Sequence, residues 1–472
     1  MSARGARRVI VVGAGISGLA AAFRLLEQDP SIELEVLEGG ARPGGWLRTE
    51  ERDGFVIELG PDSILTEKPH ALSLVKRLGI EDRVVSTNAA KRGAYVVSGG
   101  RLVRIPEGFS MMAPVDPFAF LASQVVSPSA KMRAGLEVVV PPRRAREGEE
   151  SLARFVRRRF GAELLERLAQ PMISGIYGSD AETLSLEATM PRFTRMERER
   201  GSVTRAMRAA ATSTKKQDAA SGARYGLFIG FDRGMQVMID ALVRAIGPRL
   251  RTNSPVRAIE RHGEGWRVVL ESDEARECDA VVLAVASHRI ASMLREVDGA
   301  LADGLDAIPH GSAATVTFAW RESEVPHPLD AFGFVVPAVE RRSILASTWA
   351  STKWPNRAPA GWALIRAFVG GLHDPDAADR DDDALVRSAR RELRALMGIE
   401  ASPAFTKVMR YPRAMPVYQV GHIARVEAIE ARASRHERLG LAGNGMRGVG
   451  IPDAIASGER AAERVLASVR GA

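Results

Sequence analysis

The use of Gly13-Ala14-Gly15-Ile16-Ser17-Gly18 lies in the small size of its glycines. The wholly apolar run Val9–Val12 precedes it, and a helical pattern from Ser17 to about Glu27 follows, so the glycines fall at a strand-to-helix turn. At such a turn the first glycine makes the bend, the second lets backbone approach a pyrophosphate, and the third permits close helix packing. The N–H groups of the helix start, at Ile16 and Ser17, then face the phosphates. Glu38, twenty positions after Gly18 and next to Gly39, ends the strand candidate Leu34–Leu37. There it can accept hydrogen bonds from ribose hydroxyls, and its charge argues against a 2′-phosphate.

This fingerprint does not separate NAD from FAD, and two further glycine groups favour the flavin. Arg42-Pro43-Gly44-Gly45 is a bend where a long flavin nucleotide can lie against backbone. Gly443-Asn444-Gly445 and Gly448-Val449-Gly450-Ile451 lead into a terminal helix. Reduced flavin gathers negative charge around N1 and the C2 carbonyl, which a helix N-terminus stabilises by its dipole and free N–H groups. The expected cofactor is FAD, which carries the redox chemistry itself, so the lack of a triad or a persuasive acid/base pair is consistent with it.

Composition narrows the classes. A chain of 472 residues, 45% hydrophobic, can bury a full core over two or three domains. Cys278 is the single cysteine and the eight histidines show no ligand spacing, so no disulfide framework or metal site is expected, and a reducing compartment fits. The arginine-rich start imitates a secretion signal, but the uncharged run behind it carries the phosphate-binding glycines. No segment offers the roughly 20 apolar residues of a membrane span. The net charge of +8 is carried by arginines that acidic residues accompany nearly everywhere, so no nucleic-acid partner is expected.

The elements that must position these groups form an α/β chain. Its Rossmann-like FAD-binding domain is interrupted by a mixed-sheet substrate domain and a mainly helical insertion. The expected division is FAD-binding at 1–90, 224–290 and 423–472, helical insertion at 91–223 and substrate-binding at 291–422. Trp266–Leu270 and Ala280–Ala286 read as strands completing the first sheet. Ser151–Gln170 reads as one amphipathic helix, Thr204–Ala223 as a loose connection, and Ala314–Trp320, Phe332–Pro337 and Trp362–Val369 as substrate-domain strands. A last helix runs from about Pro452 to Val469.

Over nearly its whole length the sequence resembles the oxygen-dependent protoporphyrinogen/coproporphyrinogen oxidase family, within the superfamily of amine oxidases and phytoene desaturases. Beyond the opening through Gly45, the resemblance rests on five separated blocks: Phe55-Val56-Ile57-Glu58-Leu59-Gly60-Pro61, Gly175-Ile176-Tyr177-Gly178 with Leu184-Ser185-Leu186, Phe332-Gly333-Phe334-Val335-Val336-Pro337, Trp354-Pro355-Asn356-Arg357-Ala358-Pro359-Ala360-Gly361 and Met415-Pro416-Val417-Tyr418-Gln419-Val420-Gly421-His422. It implies that Gly60 and Pro61 lie by the flavin and that Val256 meets the adenine end through its backbone. Phe332, Gly333, Val335, Phe368 and Met415 match positions lining a macrocycle slot, where a valine at Gly333 would project into the space of the ring. Arg92 matches an arginine that pairs with a substrate propionate, although Gly93-Ala94 makes its spacing to Tyr95 one residue longer than in the family. Asp62 departs from the Gly-Pro-Asn-Ser of many relatives and would bring a carboxylate near the flavin.

The implied reaction is hydride abstraction from a porphyrinogen methylene bridge over three two-electron rounds, with oxygen reoxidising the flavin to give hydrogen peroxide. The first expected substrate is protoporphyrinogen IX in haem biosynthesis. Coproporphyrinogen III stays open as an alternative, as do amine oxidation and carotenoid desaturation. The resemblance also implies a cytoplasmic enzyme peripheral to the inner membrane, with Phe109, Met111, Met112, Phe118, Phe120 and Leu121 meeting lipid or, equally, forming a helical core. A homodimer is left open.

Overall fold

The computed structural model describes residues 7–106, 108–110, 112–114, 116–143, 148–210, 227–371 and 374–470. Arg8–Val12 is apolar on both faces apart from its first residue, as a strand needs to be when helices cover both sides of a parallel sheet. It lies at the centre of five parallel strands in the order Leu250–Arg251, Glu33–Leu37, Arg8–Val12, Ala280–Leu283, Leu439–Leu441. The helix Ile16–Gln28 packs against the helix Ile451–Arg470. Their backbones approach so closely that a Cβ on Gly458 would stand 2.0 Å from the Ser17 carbonyl oxygen.

Gly265–Leu270 does not complete this sheet, contrary to the expectation for Trp266–Leu270. It pairs antiparallel with Val256–His262 on one side and Ala275–Cys278 on the other. Tight turns with left-handed residues at Gly263 (φ 56°) and Asp273 (φ 63°) fold the chain straight back at each end.

The second large sheet has seven strands in the order Phe405–Pro416, His310–Arg321, Trp362–Gly370, Ile344–Trp349, Gly333–Val335, Tyr95–Ser98, Arg101–Arg104. Its ladders are antiparallel except where Gly333–Val335 meets Tyr95–Ser98. Alternation along Trp362–Gly370 sorts the two faces. Ala363, Ile365, Ala367 and Val369 join a core with Leu385, Ala389 and Leu393 of the helix Asp382–Met397, while Leu364 packs on Phe55, Ile57 and Leu59 on the opposite side.

The expected single helix over Ser151–Gln170 is broken. Leu152–Phe160 ends at Gly161, whose φ of 99° no helical residue adopts, and the chain resumes through Ala162–Leu164 and a π-turn into Gln170–Tyr177. Residues 203–210 are helical, against the loose connection expected from Thr204, and 211–223 lie outside the described residues.

Of the side chains expected either at lipid or in a helical core, Met112 and Phe120 belong to the core of the helical subdomain, beside Val125, Val126 and Leu164. Phe109 is partly buried with its ring stacked 6.4 Å from Phe120, and Met111 lies outside the described residues. Phe118 and Leu121 are exposed. No helix among the described residues is long and apolar enough to cross a membrane.

Candidate functional site

The phosphate turn has the geometry that its spacing implies. Gly13 takes φ 96°, and a Cβ there would collide with Val285 and the Ala284 carbonyl; one on Gly18 would stand 1.9 Å from the Gly13 oxygen. Gly15 is the opposite case, since no protein atom lies within 4 Å of where its Cβ would be. That open space sits at the N-terminus of Ile16–Gln28. Gly44 N–H donates to the Ala14 carbonyl at 2.7 Å, which brings the Arg42–Gly45 bend over the turn, and Arg42 secures the bend by donating to the carbonyls of Pro43 and Gly45. Glu38 accepts from Ala14 N–H and Gly40 N–H, both at 2.8 Å, so its carboxylate is fixed at the edge of the cradle. Pro255, next to Val256, packs against Gly39.

The C-terminal glycine loop reaches the same end of the sheet. Gly443 lies against the carbonyl of Val285, and Gly445 against Ser287. Tyr418 and His422, stacked at 3.9 Å, hold the loop from outside: the tyrosine hydroxyl donates to the Asn444 carbonyl at 2.5 Å, and His422 Nε2 donates to Met446 O at 2.8 Å. Val449 packs against the helical subdomain, and Gly450 adjoins Ile451, where the long helix begins. The open space at Gly15, at the N-terminus of Ile16–Gln28, and the fixed Glu38 carboxylate suit a dinucleotide with an anionic centre.

Phe368, Ala346 and Val335 stand opposite one another on neighbouring strands and form one row across the second sheet. Val335 is directed to the helical subdomain, where Gly175 approaches it. Phe368 shares the face of Leu364, which meets Phe55, Ile57 and Leu59. Met415 pairs across from Gly311 and is half-buried. Phe332 is half-buried, and its N–H donates to the Gly93 carbonyl at 2.9 Å. Arg92 is therefore one residue away from the backbone partner of Phe332. Its side chain is exposed and makes no ion pair among the described residues. Gly93 absorbs the longer spacing with φ 144°.

Gly333 leaves no open space for a side chain, contrary to the expectation that one would project into the space of the ring. It too has φ 144°, and a Cβ there would stand 1.9 Å from the Ser347 carbonyl oxygen on the neighbouring strand, not in open space. The glycine is required by the sheet.

Asp62 was singled out by the sequence reading, but the buried charges around it were not. Asp62 lies 3.0 Å from Lys353 Nζ and 3.4 Å from Arg366 Nη2. Burial acts to raise its pKa, but these two cations outweigh it and hold the carboxyl well below the usual range. Burial pushes Glu58 up to about 7, although Arg357 stands 3.7 Å away and the carboxylate accepts from Thr49 Oγ1 and Met235 N–H. The visible sign was Arg366 inside the otherwise apolar run Trp362–Gly370, a charge where the strand pattern calls for none.

A model of the family described as flavin-containing amine oxidoreductase matches residues 16–466. Coproporphyrinogen III oxidase of Staphylococcus aureus is 35% identical over 98% of this chain and 100% of its own length. The chloroplastic protoporphyrinogen oxidase of Nicotiana tabacum is 29% identical over 94% of this chain and 82% of its own. A crystal structure from Exiguobacterium, provisionally described as a protoporphyrinogen oxidase, is 28% identical and superposes with a TM-score of 0.86, covering 98% of this chain and 99% of that one. A match that begins inside the phosphate turn and ends inside Ile451–Arg470 takes in both sides of the cradle, and on that ground the chain belongs to the flavin-containing amine oxidoreductase family, as an FAD-dependent oxidoreductase.

Proposed function

We propose that the protein oxidises a porphyrinogen to its porphyrin, using oxygen as electron acceptor and releasing hydrogen peroxide. The observation that carries this reading is the row Phe368–Ala346–Val335, a flat apolar shelf between the flavin half and the helical subdomain. A large ring with acidic arms calls for apolar walls and a cationic rim. The chemistry that FAD supplies when bound is two-electron oxidation. The protein contributes the shelf, the cradle and Arg92. Coproporphyrinogen III is the first substrate to test, because the Staphylococcus aureus relative that carries its name has the higher identity of the two quoted. Protoporphyrinogen IX, the first expectation from the sequence, is the second reading, supported by the names of the tobacco and Exiguobacterium proteins. Turnover of each by purified protein decides between them, and activity on amines with neither porphyrinogen would overturn both.

Arg92→Ala is expected to raise KM more than it lowers kcat, because a propionate contact acts on binding and not at the reacting methylene. Loss of one charge-assisted pair, about 1.5–3 kcal/mol, corresponds to roughly ten- to a hundredfold in kcat/KM. Arg92→Lys recovers part of this, since an ammonium lacks the planar fork. On a substrate with esterified propionates wild type and Arg92→Ala should perform alike. Unchanged kinetics of Arg92→Ala on the free acid would show that the anchor lies elsewhere.

The helical subdomain also carries an apolar surface that we assign to a membrane interface. Phe118, Leu121, Met132, Leu136 and Val139 are 82%, 56%, 73%, 55% and 69% exposed within a stretch of 22 residues. Lys131, whose Nζ donates to Leu121 O at 2.7 Å, supplies a cation beside them. Replacing both Phe118 and Leu121 by serine should weaken sedimentation with anionic vesicles by about a hundredfold, taking about 1.4 kcal/mol for each partly inserted side chain. Wild-type binding by that double variant would rule this surface out.

A further inference from the structure

The loop Leu59–Ser63 joins the two halves of the molecule, and three side chains grip it from one side, two from the seven-stranded sheet and one from the short helix Ala350–Lys353. Tyr411 donates its hydroxyl to the Leu59 carbonyl at 2.6 Å. Lys353 Nζ meets Asp62 Oδ1 at 3.0 Å and Ser63 Oγ at 2.7 Å. Arg366 does the most: Nη1 donates to the carbonyls of Glu58 and Gly60 at 3.1 and 2.8 Å, Nη2 stands 3.4 Å from Asp62, and its Cζ lies 4.9 Å from the Phe368 ring centroid. On its other side the loop is pressed against the phosphate-binding half. A Cβ on Gly60 would stand 1.8 Å from the Trp46 carbonyl oxygen, and Trp46 directly follows the Gly44-Gly45 bend that covers Gly15. A continuous set of contacts thus runs from the phosphate turn through Trp46 and Gly60 to Arg366 and Phe368.

We propose that Arg366 is a positioning residue of the flavin reaction: it sets the flavin-facing loop at Gly60 against the shelf at Phe368, and its charge favours the reduced flavin. This rests on the flavin-dependent oxidase reading given above. Two features support it. Arg366, Lys353 and Asp62 sum to one net positive charge, and all three side chains are at most 14% exposed, where a charge is poorly screened and acts more strongly than in water. The carbonyls of Glu58 and Gly60 together with the Asp62 carboxylate also form a set of acceptors spread around one planar donor, which a guanidinium can satisfy at once and an ammonium cannot.

The test uses FAD-loaded Arg366→Met, Arg366→Lys and Asp62→Asn. Midpoint potentials are measured anaerobically against redox dyes without substrate, and kcat and KM are then measured on coproporphyrinogen III. Arg366→Met should shift the two-electron equilibrium about tenfold toward oxidised flavin, about 30 mV, and Asp62→Asn should shift it the other way. Arg366→Lys should keep the wild-type potential yet lose about tenfold in kcat/KM, because the charge remains while the fork is gone. A wild-type potential in Arg366→Met overturns the proposal. Should that variant fail to fold, an unchanged potential in Asp62→Asn or unchanged kinetics in Arg366→Lys overturns it equally. If wild type fails to oxidise any porphyrinogen, the substrate reading falls while the potentials still decide the role of Arg366.

Discussion

Gly15→Ala should leave the apoprotein folded with wild-type thermal stability and weaken FAD retention by roughly ten- to a hundredfold. The asymmetry follows from the turn itself. Gly15 has φ −69° and ψ 175°, open to any residue, and nothing in the protein comes within 4 Å of the added methyl. The substitution therefore costs the empty protein little. A pyrophosphate lying on this backbone would be pushed away, and crowding of this kind costs about 1–3 kcal/mol. Gly18→Ala is the internal contrast: its methyl would meet the Gly13 oxygen at 1.9 Å, so it should lower the melting temperature whether or not FAD is present. Equilibrium dialysis of FAD against the two apoproteins, with parallel thermal melts, separates the cases. Normal FAD affinity in Gly15→Ala would mean that the phosphates do not lie on this turn.

Gly333→Ala should destabilise the protein by about 4 kcal/mol, at the upper end of what single substitutions do. Two penalties combine, a φ of 144° that L side chains rarely adopt and a Cβ 1.9 Å from the Ser347 oxygen inside a paired strand. The effect should appear as a lowered denaturation midpoint in the substrate-free protein. Were the glycine there to keep a slot flat, the variant would instead be as stable as wild type and impaired only in turnover.

Much of the cradle was legible because its information is local. The backbone geometry at Gly13, Gly15 and Gly18 follows from spacing within six residues, and the placement of Glu38 from the length of one helix and one strand. What escaped was set by partners distant in sequence. Lys353 and Asp62 are 291 positions apart, so neither residue type nor spacing could pair them. The direction of a side chain at Gly333 was misread for the same reason, since the oxygen that forbids it belongs to Ser347 on another strand. The helix expected over Ser151–Gln170 failed differently: apolar residues recur at helical spacing on both sides of Gly161, and the break depends on one backbone angle. In the region expected at lipid or in a helical core, apolar type alone could not tell Phe118 from Phe120, which differ only in which way each faces on one short helix.

The parallel sheet draws its strands from both extremes of the chain, and 439 positions separate Val12 from Ile451, the first residue of the helix that packs on Ile16–Gln28. During synthesis from the N-terminus the first strand and helix emerge early, while the surface that will cover them has not yet been made. The seven-stranded sheet has all its strands once Pro416 is out, before Leu439–Leu441 and Ile451–Arg470 can dock. The face of Ile16–Gln28 that meets Ile451–Arg470 must therefore wait uncovered or be shielded by a chaperone until that helix leaves the ribosome, although Gln236–Ile246 can pack on another part of it sooner. The nucleotide cradle is thus finished only after the seven-stranded sheet, although its signature precedes that sheet in the chain.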